Sequence, residues 1–129
     1  MFTKSVFFFL FIVLVNTFSL FSEGQDSLSL FKSIKEASTP RQKVIANIAL
    51  SKYFLQKNIT KCLAYSSSAY KQAEDIDDKK GMADAICVEG EAQFLQANFD
   101  EANLKFTEAL SIYKKIKNNI GIAECYEGL

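Results

Sequence analysis

The chain has 129 residues, of which 49% are hydrophobic and only six are proline or glycine, so it has enough apolar material for one packed domain and too few turn residues for an all-β fold. Basic and acidic residues number 15 each, and this balance does not favour a nucleic-acid partner. The chain has no histidine, the most common general base near neutral pH and the most common zinc ligand, so neither catalysis nor a metal site is predicted.

The first predicted element is a secretory signal peptide over residues 1–24. Lys4 supplies a short positive start, and an unbroken apolar run follows over 6–15. Small residues precede Gln25 at the spacing that signal peptidase requires, so cleavage is predicted before Gln25. The alternative is an uncleaved anchor helix over 6–21, although a membrane span normally needs about 20 apolar residues. Both alternatives predict export to the periplasm or the extracellular space of a bacterial cell.

A capping helix and linker are predicted over residues 25–40. Leu28, Phe31 and Ile34 recur at spacings of three, as in a short amphipathic helix. The segment 38–40, Ser-Thr-Pro, ends that helix because the residue before a proline avoids helical geometry. We expect the helix to cover the open end of the elements that follow.

The rest of the chain repeats with a period of forty residues. The word FLQKN at 54–58 returns as FLQAN at 94–98. Within each copy the apolar residues are spaced by three and four, which predicts two helices per unit. A single helix hairpin cannot bury its apolar face alone, so repeated hairpins are expected to stack. The predicted units are 41–80, 81–120 and an incomplete third at 121–129.

The turns between the paired helices carry predictions of their own. Thr60 and Asp100 occupy equivalent positions, and each is expected to act as an N-cap for the second helix of its unit. Asn58 and Asn98 are expected to adopt left-handed backbone geometry, which asparagine tolerates well.

On these residues the chain resembles the tetratricopeptide repeat family, in its form with a period of about 40 residues. Gly90, Ala102, Phe106 and Ala109 fall at the spacing of the family's Gly, Ala, aromatic and Ala consensus positions, and 98–99 matches its Asn-aromatic turn. The resemblance implies an all-α, right-handed α-solenoid of antiparallel helix hairpins with about two and a half repeats.

The first unit matches that consensus less closely than the second. Tyr53 and Ala69 match, whereas Ser66 replaces the consensus aromatic residue. Cys62 takes a small-residue position, and Cys125 does the same in the third unit. Both are therefore expected to be packing residues, and no C-x-x-C spacing indicates a metal or redox motif.

The resemblance also implies a binding site, because the first helices of such units line a concave groove that receives a peptide or a helix. The implied groove residues, all expected to point outward, are Asn47, Ser51, Phe54, Leu55, Asp84, Glu91, Phe94, Leu95, Glu124 and Glu127. Cys87 is expected to point outward on the same helices. This mixture of acidic, polar and aromatic side chains predicts a protein partner with Lys or Arg beside an apolar anchor. No catalytic residue, cofactor, metal or small-molecule substrate is predicted, and a carboxylate hydrolase is disfavoured because Glu89 and Glu91 lie on different sides of a helix.

Two functional hypotheses follow. The first is an exported tetratricopeptide-type interaction module without catalytic activity. The second is the extracytoplasmic sensory part of a larger membrane signalling protein, a histidine kinase or a helix-turn-helix regulator. Leu129 falls inside a predicted helix, which favours a fragment. Membrane contact is expected only if the leader is uncleaved or a span follows the chain.

Overall fold

The structure is a computed structural model that describes residues 26–129, so the predicted signal peptide lies outside the described residues. Every regular element in this part of the chain is an α-helix, which confirms the all-α prediction. The helices are α1 (26–36), α2 (Pro40–Phe54), α3 (Ile59–Asp75), α4 (Lys79–Leu95), α5 (Phe99–Lys115) and α6 (Asn119–Gly128). From residue 26 onward, no helix is both long and apolar enough to cross a membrane.

The helices α3 to α6 start at regular intervals of twenty residues. Their N-caps are Asn58, Asp78, Asn98 and Asn118. Three of these side chains accept a hydrogen bond from the free N–H three residues later, as Asn118 Oδ1 does from Gly121 at 2.9 Å. The forty-residue period of the sequence is therefore two helix-plus-turn units of twenty residues each.

The predicted N-caps Thr60 and Asp100 are wrong, because both residues lie inside the first turns of α3 and α5. The asparagine two positions earlier takes the capping place in each unit. At α3, Asn58 Oδ1 accepts from the N–H of Lys61 at 3.0 Å. Asn98 instead donates from its side chain to Gln93 Oε1 at 2.8 Å, and it makes no side-chain cap bond.

The prediction of left-handed geometry is wrong for both asparagines. The second unit has its left-handed residue one position earlier, and the turn between α2 and α3 has no residue with a positive φ. Asn58 and Asn98 have φ values of −159° and −87°, whereas Ala97 has φ 61°. Ala97 stands just past the end of α4, where its N–H donates to Phe94 O and the N–H of Asn98 donates to Gln93 O, both at 2.9 Å. This pair of bonds is the Schellman motif, which needs a left-handed residue at that position. Asp77 and Lys117 take the same geometry in their turns.

Among helices α2 to α6, α4 has the most helix neighbours. Each of α2 to α5 contacts the helix that follows it, and α2 also contacts α4, as α4 contacts α6. Among helices α2 to α6, the backbones of α3 and α5 do not lie close to each other. The first helices of the hairpins are therefore close neighbours, and the second helices spread apart. α4 lies in the middle and buries residues along most of its length.

Two apolar clusters hold the helices together. The first cluster joins α2, α3 and α4 through Leu50, Phe54, Cys62, Val88 and Ala92, and Leu30 and Ile34 of α1 pack against it. The second joins α4, α5 and α6 and contains Ile86, Cys87, Phe106, Tyr113 and Cys125. The break between α1 and α2 is at residues 37–39, directly before Pro40, the first residue of α2, and Thr39 caps that helix.

Candidate functional site

A cleft of about 290 Å³ opens where the ends of α2, α4 and α6 meet over the side of α5. Its lining residues are Leu55, Gln56, Glu91, Phe94, Leu95, Phe106, Glu127 and Gly128. The structure thus brings together Leu55, Glu91, Phe94, Leu95 and Glu127, which are five of the residues predicted to line a groove. The walls are mostly apolar, and the polar groups are two carboxylates and one amide.

The repeated sequence word supplies two walls of this cleft. Leu55 and Gln56 come from its first copy, and Phe94 and Leu95 come from its second. Each copy lies at the end of the first helix of a hairpin, and α2 contacts α4, so equivalent positions meet at the same edge. Phe94 and Leu95 remain 52% and 51% exposed, which leaves their apolar surface free to contact a ligand.

Phe106 forms the floor of the cleft, and two glycines allow it to lie there. A Cβ atom on Gly90 would lie 3.1 Å from the Phe106 ring, and one on Gly128 would lie 2.6 Å from it. The ring is therefore enclosed between α4 and α6, in tight contact with Gly90 and so close to Gly128 that a side chain there would force a shift. The sequence assigned Phe106 to the core and did not place Gln56 or Gly128 in the site. The consensus pairing of Gly90 with Phe106 was the available signal for this floor.

Glu91 is the partly buried carboxylate of the cleft. Burial raises the pKa of its carboxyl above the ordinary value, the Glu124 charge raises it further, and Lys52 opposes both effects. Glu127 adds a second, exposed carboxylate. An ionised Glu91 is therefore incompletely solvated, and a cation bound beside it would relieve part of that cost.

Four residues predicted to point outward are buried instead, which corrects that part of the prediction. They are Asn47, Ser51, Phe54 and Cys87, and each is at most 8% exposed. Asn47 faces α3 and donates from Nδ2 to Gln72 Oε1 at 2.9 Å. Ser51 donates to the carbonyl of Ile48 within its own helix. These side chains are covered because α2 and α4 contact other helices on several sides.

Asp84 and Glu124 lie on the first helices but do not line the cleft. Asp84 accepts a hydrogen bond from the Tyr113 hydroxyl at 2.7 Å and pairs with Lys80 at the same distance. Burial, followed by this bond, raises the pKa of Tyr113 above its ordinary range, so the hydroxyl stays protonated. Asp84 therefore has a structural role in joining α4 to α5. Glu124 is exposed on α6 and acts on the cleft through the pKa of Glu91.

No family model matches this chain, and no curated protein or solved structure matches it. Between residues 26 and 129, no group of three or more Cys, Asp or Glu side chains could hold a metal ion. The chemistry of the cleft is therefore that of a surface with apolar walls and two carboxylates.

Proposed function

We propose that the protein is an exported interaction module of the tetratricopeptide type, without catalytic activity, that binds a peptide segment of a partner protein. Two observations support a right-handed solenoid with its concave side on α2, α4 and α6. The helix starts are spaced by twenty residues, and α4 contacts both α2 and α6. The predicted leader supports export.

The composition of the cleft carries the proposal. A volume of about 290 Å³ is at the small end for ligand pockets, and it suits one or two side chains of a peptide. An apolar side chain of the partner inserts between Leu55, Phe94 and Leu95 and rests on Phe106. A neighbouring Lys or Arg of the partner lies against Glu91 and Glu127.

Glu91 makes this recognition dependent on pH. A bound cation favours the ionised carboxylate, so binding is strongest above the raised pKa of Glu91. As the pH falls through that pKa, Glu91 takes up a proton and the attraction is lost. Burial of the carboxyl moves this loss to a higher pH than for a carboxyl in water.

Fluorescence anisotropy with a peptide library tests the proposal. The library pairs one Leu or Phe with an adjacent Lys or Arg, and in a matched set the base is replaced by Glu. We expect the basic peptides to bind better, and we expect Glu91→Gln to weaken them about tenfold, or ~1.4 kcal/mol. Glu74→Gln, an exposed change on α3, is the control and leaves affinity unchanged. Equal binding of basic and acidic peptides would contradict the proposed recognition.

A further inference from the structure

Two of the three cysteines are in direct contact. Cys87 lies on α4 and Cys125 on α6, and their Sγ atoms are 3.4 Å apart. Both are buried, at 5% and 0% exposure, and both carry free thiols in this structure. Cys62 lies in the other apolar cluster. We propose that Cys87 and Cys125 form a disulfide bond that ties α6 to α4.

The geometry needs little change for this bond to form. A disulfide has an S–S distance of about 2.05 Å, so the two sulfurs must approach by about 1.4 Å. They already touch inside one apolar cluster, and a small rotation of the two side chains brings them closer. The bond would close a loop between residues 38 positions apart, and loops of this length restrict the unfolded chain strongly.

The oxidant is a small-molecule or protein disulfide, and the reaction is two successive thiol–disulfide exchanges. The Cys125 thiol loses its proton, and the thiolate attacks the oxidant, forms a mixed disulfide and expels one thiolate. The Cys87 thiolate then attacks the Cys125 sulfur and expels the second. Two cysteine thiols lose two protons and two electrons to form one S–S bond, and the oxidant is reduced to two thiols.

Burial decides when this exchange takes place. It raises the pKa of both thiols above the ordinary value, and the neighbouring carboxylates of Glu91 and Glu124 raise the pKa of Cys87 further. Because the thiolate is the attacking species, exchange is slow once the chain has folded. The bond therefore forms during folding, as α6 first packs on α4 and before the two thiols are fully buried, and it is then shielded from reductants.

The cross-link acts on α6, which with 10 residues is the shortest of the helices α2 to α6. Among helices α2 to α6, α6 contacts only α4 and α5, and more than half of its residues are exposed. Glu127 and Gly128, which line the cleft, follow Cys125 on the same helix. A bond at Cys125 would hold this wall of the cleft against α4.

Refolding in a glutathione redox buffer tests the proposal. The denatured, reduced chain is refolded with oxidised glutathione, quenched in acid, denatured and alkylated. Mass spectrometry is expected to show one alkylated thiol, Cys62, and one linked pair of peptides that contain Cys87 and Cys125. We expect the oxidised protein to melt about 10 °C above the same protein refolded in reductant.

Matched variants separate the possible outcomes. Cys62→Ala is expected to keep the cross-link, and Cys87→Ala is expected to leave every remaining thiol alkylated. Three alkylated thiols in the wild-type protein after oxidative refolding, or a cross-link that includes Cys62, would overturn the proposal. Because the wild-type readout needs no folded variant and no peptide ligand, it is independent of the proposed binding function.

Discussion

Phe54 and Phe94 are the same residue of the same repeated word, yet Phe54 is 8% exposed and Phe94 is 52% exposed. The Phe54 ring stacks on Tyr65 at 5.7 Å and meets Phe31 of α1 at 6.2 Å. The position equivalent to Tyr65 in the second hairpin is Lys105, which turns to Glu89 at 2.9 Å. Phe94 keeps a ring contact with Phe99 at 5.4 Å but lacks the cover that Tyr65 gives Phe54. A repeated local sequence therefore reproduces the helix end, whereas its neighbours decide whether a side chain is core or binding surface.

The two hairpins also fill their interiors from opposite sides. In the second hairpin the large residue is Phe106 on α5, and it lies against Gly90 on α4. The equivalent residues in the first hairpin are Ser66 and Leu50, so the large residue is on the first helix. Phe106, Ser66 and Leu50 are at most 4% exposed, and Gly90 is buried as well. The copies thus conserve total volume rather than the residue at each position.

The largest expected difference between the copies is at the two phenylalanines. Phe54→Ala should lower the free energy of unfolding by about 3–4 kcal/mol, because it leaves a cavity in the first cluster. Phe94→Ala should cost less than about 1 kcal/mol, because half of that ring is already in water. Urea unfolding followed by circular dichroism measures both values. Similar losses in the two variants would show that the copies are equivalent and would refute the comparison.

Gly81 and Gly121, which lie in the first turns of α4 and α6, should also respond differently to substitution by alanine. A Cβ atom at Gly121 would lie 2.4 Å from the ring of buried Tyr113, so Gly121→Ala should cost about 1–3 kcal/mol. At Gly81 a Cβ atom would lie 2.8 Å from a methyl group of buried Val44 and 3.1 Å from the Cβ of Ala73, so strain is expected there too. These distances are longer than at Gly121, and the better helix propensity of alanine, up to about 1 kcal/mol, offsets part of the strain, so Gly81→Ala should cost less stability than Gly121→Ala.

Thermal unfolding of both alanine variants checks this pair. Equal losses at the two sites would show that the ring of Tyr113 yields as easily as the side chain of Val44.

Glu91 corresponds to the fully buried Ser51 in the first copy, and the charge at this position is expected to cost stability. Because burial raises the folded-state pKa, the cost is full above that pKa, shrinks as the pH falls below it and is gone below the unfolded-state pKa. Glu91→Gln should therefore raise Tm at neutral pH while it weakens peptide binding. The gain in Tm should vanish at a pH where both states hold a protonated Glu91. A loss of stability at neutral pH would contradict the assigned cause of the pKa shift.

The smallest expected effect is in the turn after the second copy of the word. Ala97 has φ 61°, a geometry that costs a residue with a Cβ atom about 1–2 kcal/mol. Ala97→Gly removes this strain at some entropic cost, so it should stabilise the protein by up to about 1 kcal/mol.

Ala64→Gly supplies the opposite sign as a control. Ala64 is exposed inside α3, where glycine should cost about 0.5–1 kcal/mol. If both glycine variants lose stability in chemical denaturation, the left-handed strain at Ala97 is too small to matter.

Much of the helical framework could be predicted because its causes are local. The spacing of apolar residues predicted two helices per unit, and Pro40 predicted the break after α1, which the structure places there. The caps were missed because Asn58 and Thr60 are both good capping residues by type. Which of them caps the helix depends on where the preceding turn ends, and a single turn motif does not reveal that.

The sequence by itself determined that this chain forms α-helices in units of forty residues, because hydrophobic periodicity and turn residues act over a few neighbours. Only the tertiary structure decided which equivalent residues are buried and which line the cleft. Phe54 is buried and Phe94 is exposed because Tyr65 and α1 pack against Phe54, whereas Lys105 takes the place of Tyr65 beside Phe94. Cys87 meets Cys125 only when α6 packs on α4. Such contacts join residues that are far apart in the sequence, and their energies depend on which side chain lies opposite.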